Sequence, residues 1–92
     1  MTGSVVDNPA QLRFELRVGD ALAVASYRLD GDQVVLVHTE VPAELSGRGV
    51  GSRLAEGASD LIRESGRKAV TKCSFMAEWA SRHPECADLV VA

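Results

Sequence analysis

Ninety-two residues, 46% of them hydrophobic and 25% charged, have the size and make-up of one globular domain, residues 1–92, with a modest core. No run of about 18 apolar residues is present, which excludes a transmembrane helix. The opening "MTGSVVDNPAQLRF" lacks a basic segment followed by an apolar block, so the expected location is cytoplasmic, with Cys73 and Cys86 reduced. A net charge of −3 argues against a general nucleic-acid binder. Basic side chains are nevertheless concentrated at Arg48 and Arg53 and again at Arg67, Lys68 and Lys72, a distribution suited to a small anionic ligand.

Residues 1–8 read as a disordered lead, and loose packing is expected up to about residue 10. From 11 to 18 the chain alternates: Leu12, Phe14, Leu16 and Val18 share one side, and Arg13, Glu15 and Arg17 the other, the period of a half-exposed strand. "GD" turns into a second strand, "ALAVASYRL". "DGDQ" is a hairpin signal leading to a third, "VVLVHTEV", whose continuous apolar start predicts burial on both faces. From Ser46 the period becomes helical, with Val50, Leu54, Ala58, Leu61 and Ile62 on one stripe and Gly66 as the terminating residue. "KAVTKC" reads as a fourth strand and "SFMAEWASRH" as a second helix, stopped at His83-Pro84. The tail "ADLVVA" is left as either a last strand or coil. The order β-β-β-α-β-α describes an α+β domain bordering on α/β. An antiparallel N-terminal meander shares its mixed sheet with one parallel crossover through the first helix.

Between the third strand and the first helix lies "SGRGVGSRL", with three glycines in five residues. The first turn of a helix offers amide N–H groups without internal partners and the positive end of the helix dipole. Glycines there remove the Cβ atoms that would hold a ligand off, which makes the segment a phosphate or diphosphate cradle, reinforced by Arg48 and Arg53. It is not a Walker A loop, since no lysine follows Gly51. It is not a dinucleotide fingerprint, since Ser52 occupies the third glycine position. A flexible helix lead-in without a ligand is the competing reading of this segment alone.

Taken together, "HTEV", the G-x-G-x-G opening a helix, a cysteine and phenylalanine, and "HPE" before "DLV" resemble the small, minimal members of the GCN5-related N-acetyltransferase (GNAT) superfamily. The resemblance spans about Asn8 to Val90. It implies acetyl-CoA as cosubstrate, with its diphosphate on the backbone of Ser46, Gly47, Arg48, Gly49, Val50, Gly51, Ser52 and Arg53. It further implies that the third and fourth strands splay, and that the pantetheine arm pairs with free main-chain groups near Thr39, Glu40 and Val41. The chain departs from the family pattern at Ser46, where glutamine or arginine is usual, at Ser74, where proline is usual, and at Cys86, where an aromatic is usual. Larger members cover the acceptor site with N-terminal helices. Here the acceptor face is expected to be open, for a protein amine or for a partner or second subunit that completes the pocket.

Acetyl transfer requires a neutral amine, a polarised carbonyl and a leaving thiolate that is stabilised or protonated. Glu40 is the candidate base beside the thioester, and His38, two residues earlier on the same strand face, its relay partner. Cys73, following Lys72 at a helix start, is a candidate proton donor, acyl acceptor or pocket lining. Their plain alternatives are a surface carboxylate, a packed histidine and a buried strand cysteine. Trp79, Phe75 and Met76 read as core, His83 as a helix terminator and Cys86 as an unremarkable thiol. No spacing fits a metal site. The leading expectation is an acetyl-CoA-dependent N-acetyltransferase acting by direct transfer. A non-catalytic acyl-CoA-binding or partner-regulating module is the alternative, and a purely structural domain comes third.

Overall fold

The computed structural model describes residues 4–91. A six-stranded sheet runs in sequence order, β1 (Val6–Asn8), β2 (Arg13–Val18), β3 (Ala21–Asp30), β4 (Gln33–Glu40), β5 (Lys68–Thr71) and β6 (Val90–Val91). The first four strands are antiparallel, and β5 and β6 join in parallel. Helix α1 (Val50–Glu64) makes the crossover from β4 to β5, and α2 (Ser74–Ser81) follows β5. Short 3₁₀ turns at Ala43–Leu45 and Pro84–Cys86 precede α1 and follow α2. No helix among the described residues is long and apolar enough to cross a membrane.

The alternation of the strands decides which face is buried. Phe14 and Leu16 of β2, Ala23, Ala25 and Tyr27 of β3, and Val34 and Leu36 of β4 meet Leu54, Ala55, Ala58 and Ile62 of α1 in one core. Met76 and Trp79 of α2 join it, with Cys86 and Leu89 from the tail. Val34, Val35 and Leu36 are all buried, as the apolar run predicted. The hairpin and helix-end glycines Gly19, Gly31 and Gly66 adopt the positive φ their positions demand.

Two terminal segments differ from the sequence reading. The lead expected to be disordered over 1–8 contains a strand: Val6, Asp7 and Asn8 pair with Glu15, Phe14 and Arg13. Residues 1–3 lie outside the described residues. Long-range contacts hold the strand where three residues of local pattern carry no signal. The Tyr27 hydroxyl donates to Asp7 at 2.6 Å. Burial, with help from Asp7, pushes that phenol up to about 12. Val5 sits against the backbone of Gly57 in α1, where a Cβ would come within 2.3 Å of the valine side chain. The tail, left open between strand and coil, docks as β6 beside β5.

Gly57 therefore reverses an ordinary helix rule. Gly57→Ala should destabilise the protein by about 1 kcal/mol or more in a denaturation experiment, because overpacking against Val5 outweighs the roughly 1 kcal/mol gain in helix propensity. In a Val5→Gly background the same substitution should become stabilising, and a cycle that showed no such change of sign would refute the contact.

Candidate active site

Strand pairing between β4 and β5 stops early. The parallel register runs from Gln33 opposite Lys68 to Leu36 opposite Thr71. At that point the Leu36 carbonyl accepts N–H groups from both Lys72 (2.9 Å) and Cys73 (3.0 Å) as the chain turns into α2. Beyond Leu36, β4 continues to Glu40 with a partner on its β3 side only. The two strands thus diverge, leaving main-chain groups of Val37 to Glu40 without a partner strand on one edge.

A β-bulge lies at the same place. Tyr27 faces Leu36, but Ser26 faces His38, so Val37 is the extra residue. The bulge resets the alternation. Thr39 now pairs with Ala25, whose side chain is on the helix-covered face, while His38 and Glu40 pair with Ser26 and Val24 on the opposite face.

On the helix-covered side, Thr39 Oγ1 and Cys73 Sγ are hydrogen-bonded at 3.3 Å across the divergence. Partial burial pushes the Cys73 thiol up. The hydroxyl of Thr39 and the backbone N–H groups of Met76, Phe75 and Thr39 outweigh that burial, and the thiol lies below its ordinary value. On the open side, His38 Nε2 and Glu40 Oε2 are 3.8 Å apart, with both side chains about two-thirds exposed (65% and 70%). The three candidate catalytic residues therefore lie on the two faces of one splayed edge, Cys73 beside Thr39 on one and His38 with Glu40 on the other.

The glycine segment forms the adjoining cleft. Gly47 and Gly49 have φ of 81° and 72°, a region other residues enter only with strain. Gly49 is the N-cap of α1 and brings no capping side chain. Most helices spend a serine, aspartate or asparagine there. Here the N–H groups of Gly49, Val50, Gly51 and Ser52 have no acceptor among the described residues. They border a cleft of about 380 Å³, the size of a small-molecule site. Of the predicted cofactor residues, Val41, Ser46, Gly47, Gly49, Val50, Gly51 and Ser52 line it. Thr39 lies instead beside Cys73, and Arg48 and Arg53 are exposed and do not line the cleft.

The opposite wall comes from α2 and the residues just after it, and most of it escaped the sequence reading. Met76 and Trp79 are core, but Phe75 is 41% exposed and stands at the cleft. Its ring occupies the space over Gly51, where a Cβ would approach Cζ to 2.7 Å. Gly51 is therefore a packing glycine as well as a loop residue. Trp79 Nε1–H donates to Ser52 Oγ at 3.0 Å and fixes α2 to the first turn of α1. Arg82 and His83 complete the wall. The one sequence signal for the aromatic residues was helical spacing, and Phe75 falls one position off the buried pair Met76 and Trp79.

A mixed sheet with a parallel crossover, a glycine-rich helix entry and a splayed strand edge defines a GNAT-type acetyltransferase domain. A family profile described as GCN5-related N-acetyl-transferase matches residues 13–89, and the chain belongs to that family. It is 36% identical over 63 residues to the protein NATD1 of Gallus gallus and of Mus musculus, alignments that cover 67% of this chain and 57% of those relatives. It also resembles the solution structure of a GCN5-like candidate N-acetyltransferase from Staphylococcus aureus, with a TM-score of 0.74 at 26% identity, covering 97% of this chain and 88% of that one.

The Thr39–Cys73 contact has a direct readout. Cys73 should alkylate with iodoacetamide faster at neutral pH than an ordinary thiol of equal exposure, since a depressed pKa raises its thiolate fraction. Thr39→Val should move the midpoint of the rate–pH profile upward and slow the reaction at pH 7. An unmoved midpoint would show that the hydroxyl does not hold the sulfur.

Proposed function

We propose that the chain transfers acetyl from acetyl-CoA to an amine carried by a protein or peptide, by direct attack. One observation carries the reading: a cluster of unpartnered helix-start amides borders a cleft that reaches Val41, the residue next to a strand edge that has lost its neighbour. The residues present fit the cosubstrate. The amides of Gly49 to Ser52 suit a diphosphate, and the free edge of Val37 to Glu40 suits the amide groups of a pantetheine arm, which would pair there as an added strand does.

A thioester in the divergence is reachable from both faces, and the two side-chain pairs divide the chemistry. From the open face the acceptor enters as an ammonium, and Glu40, with His38 beside it, takes its proton. The amine lone pair then forms the new C–N bond at the thioester carbonyl, and the nitrogen releases its second proton to solvent as the amide forms. The C–S bond breaks toward the helix-covered face, where the Cys73 thiol gives its proton to the departing CoA sulfur, and solvent reprotonates Cys73. The depressed acidity range of Cys73 favours that donation to an ordinary thiolate. The uncovered outer face, where His38 and Glu40 are exposed, supports an acceptor as large as a protein surface.

Calorimetry with acetyl-CoA and transfer from radiolabelled acetyl-CoA to a panel of amines and peptides test this reading. Gly49→Val should weaken acetyl-CoA binding about a hundredfold or more. It forces a branched residue to φ near 72° and displaces at least two amide contacts to a charged group. Unchanged affinity in that folded variant would reject the loop as the seat. Glu40→Gln and Cys73→Ala should each lower transfer by about a hundredfold while leaving acetyl-CoA affinity near that of the parent. Equal losses in rate and affinity would remove their catalytic roles. Binding without transfer to any acceptor would favour the acyl-CoA-binding module.

A further inference from the structure

The cleft extends past the amide cluster to the end of α2, and its charge is one-sided. Among its lining residues the only ionisable side chains are Arg82 and His83, and no carboxylate faces it. Both lie just beyond the last residue of α2. His83 is stacked on Trp79, with ring centroids 3.9 Å apart and planes inclined by 17°. Its Nδ1 is 2.7 Å from the Trp79 carbonyl oxygen. A carbonyl only accepts, so Nδ1 carries a hydrogen and Nε2 is left for another partner. Arg82 is held by Glu78 through one terminal nitrogen, which leaves the rest of its donor fork free. Trp79, itself tied to Ser52 of α1, thus sets His83 at a fixed place across the cleft from the glycine segment.

We propose that Arg82 and His83 form a second anion site in this cleft, which takes the 3′-phosphate of CoA and lets the protein distinguish CoA from 3′-dephospho-CoA. The proposal rests on the acetyl-CoA reading above and adds to it. The amide cluster supplies a partial charge suited to one diphosphate. On a separate element, with no carboxylate in the lining, the free guanidinium donors of Arg82 and the Nε2 of His83, a donor when the ring is protonated, can hold a second anion. The 3′-phosphate is the other anionic group that CoA carries. Arg48 and Arg53, the cations nearest the loop in sequence, do not line the cleft and leave this role to the end of α2.

Calorimetry with CoA and with 3′-dephospho-CoA, on the parent protein and on Arg82→Gln and His83→Gln, tests it. The parent should bind CoA about tenfold or more tightly than 3′-dephospho-CoA, the worth of one charge-assisted contact. Each variant should lose most of that preference by weakening CoA alone. Equal affinity of the parent for both ligands would overturn the second site and leave the acetyl-CoA reading intact. A preference that survives in both variants would overturn the assignment to Arg82 and His83. Failure of both ligands to bind would instead overturn the reading beneath it. Arg82 is exposed and its one side-chain hydrogen bond among the described residues is to Glu78, so Arg82→Gln decides the matter even if loss of the His83 stack impairs folding.

Discussion

The Leu36 carbonyl is the point on which the site turns. It takes the last hydrogen bonds that β5 and the chain after it can give to β4, from Lys72 and Cys73, and every residue of β4 beyond it must find its partners elsewhere. A buried strand edge without partners would cost several kcal/mol, so such an edge persists only where water or a ligand reaches it. The extra residue at Val37 falls one position later. A regular ladder continuing from Tyr27 and Leu36 would set His38 opposite Ala25, on the core side, and turn Thr39 outward. The bulge exchanges them. One inserted residue therefore gives Cys73 its hydrogen-bond partner and leaves His38 and Glu40 exposed on the open face.

The second constraint is the contact between the two helix starts. Helix α1 begins without a capping side chain and α2 has Cys73 as its N-cap, so two sets of helix-start amides flank the divergence. The first serves a ligand diphosphate in the proposed reading. The second acts within the protein, where the N–H groups of Phe75 and Met76 help keep the Cys73 thiol below its usual range. Phe75 against Gly51 and Trp79 against Ser52 fix the distance between the helices. The missing Cβ at Gly51 is what permits that approach, so the glycines of "SGRGVGSRL" serve different needs: Gly47 and Gly49 a backbone conformation, Gly51 a contact.

How much of this was legible depended on whether the cause was local. The alternation of Phe14, Leu16 and their neighbours, the turn at Gly31 and the stripe from Val50 to Ile62 are short-range patterns, and the elements formed where those patterns put them. The family resemblance carried the glycine cleft and the splay, which no periodicity reveals. Strand β1 was missed because its support is distant, in Tyr27 and Gly57. The bulge was missed because "VVLVHTEV" reads as an unbroken strand, and only the register against β3 shows the added residue. Phe75 was read as core because helical spacing cannot tell a residue over a core from one over a cleft. Arg82 and His83 face the glycine segment only because Trp79 folds the end of α2 back onto α1.

The site also lies where the topology requires it. Every neighbour of β4 up to β3 is antiparallel, and β5 is parallel, so the chain must leave the carboxyl end of β4, cross through α1 and return. The loop into α1 and the end of β5 then meet at the same edge of the sheet, the place where open sheets with parallel crossovers bind ligands. A second parallel return, through α2, places β6 beside β5, and the divergence described above lies between β4 and β5. The core residues Leu54, Ala55, Ala58 and Ile62 fix α1 on the meander. β1 and the Tyr27–Asp7 contact close the far side of the meander, so the edge of β4 beyond Leu36 is left to the loop into α1 and the start of α2.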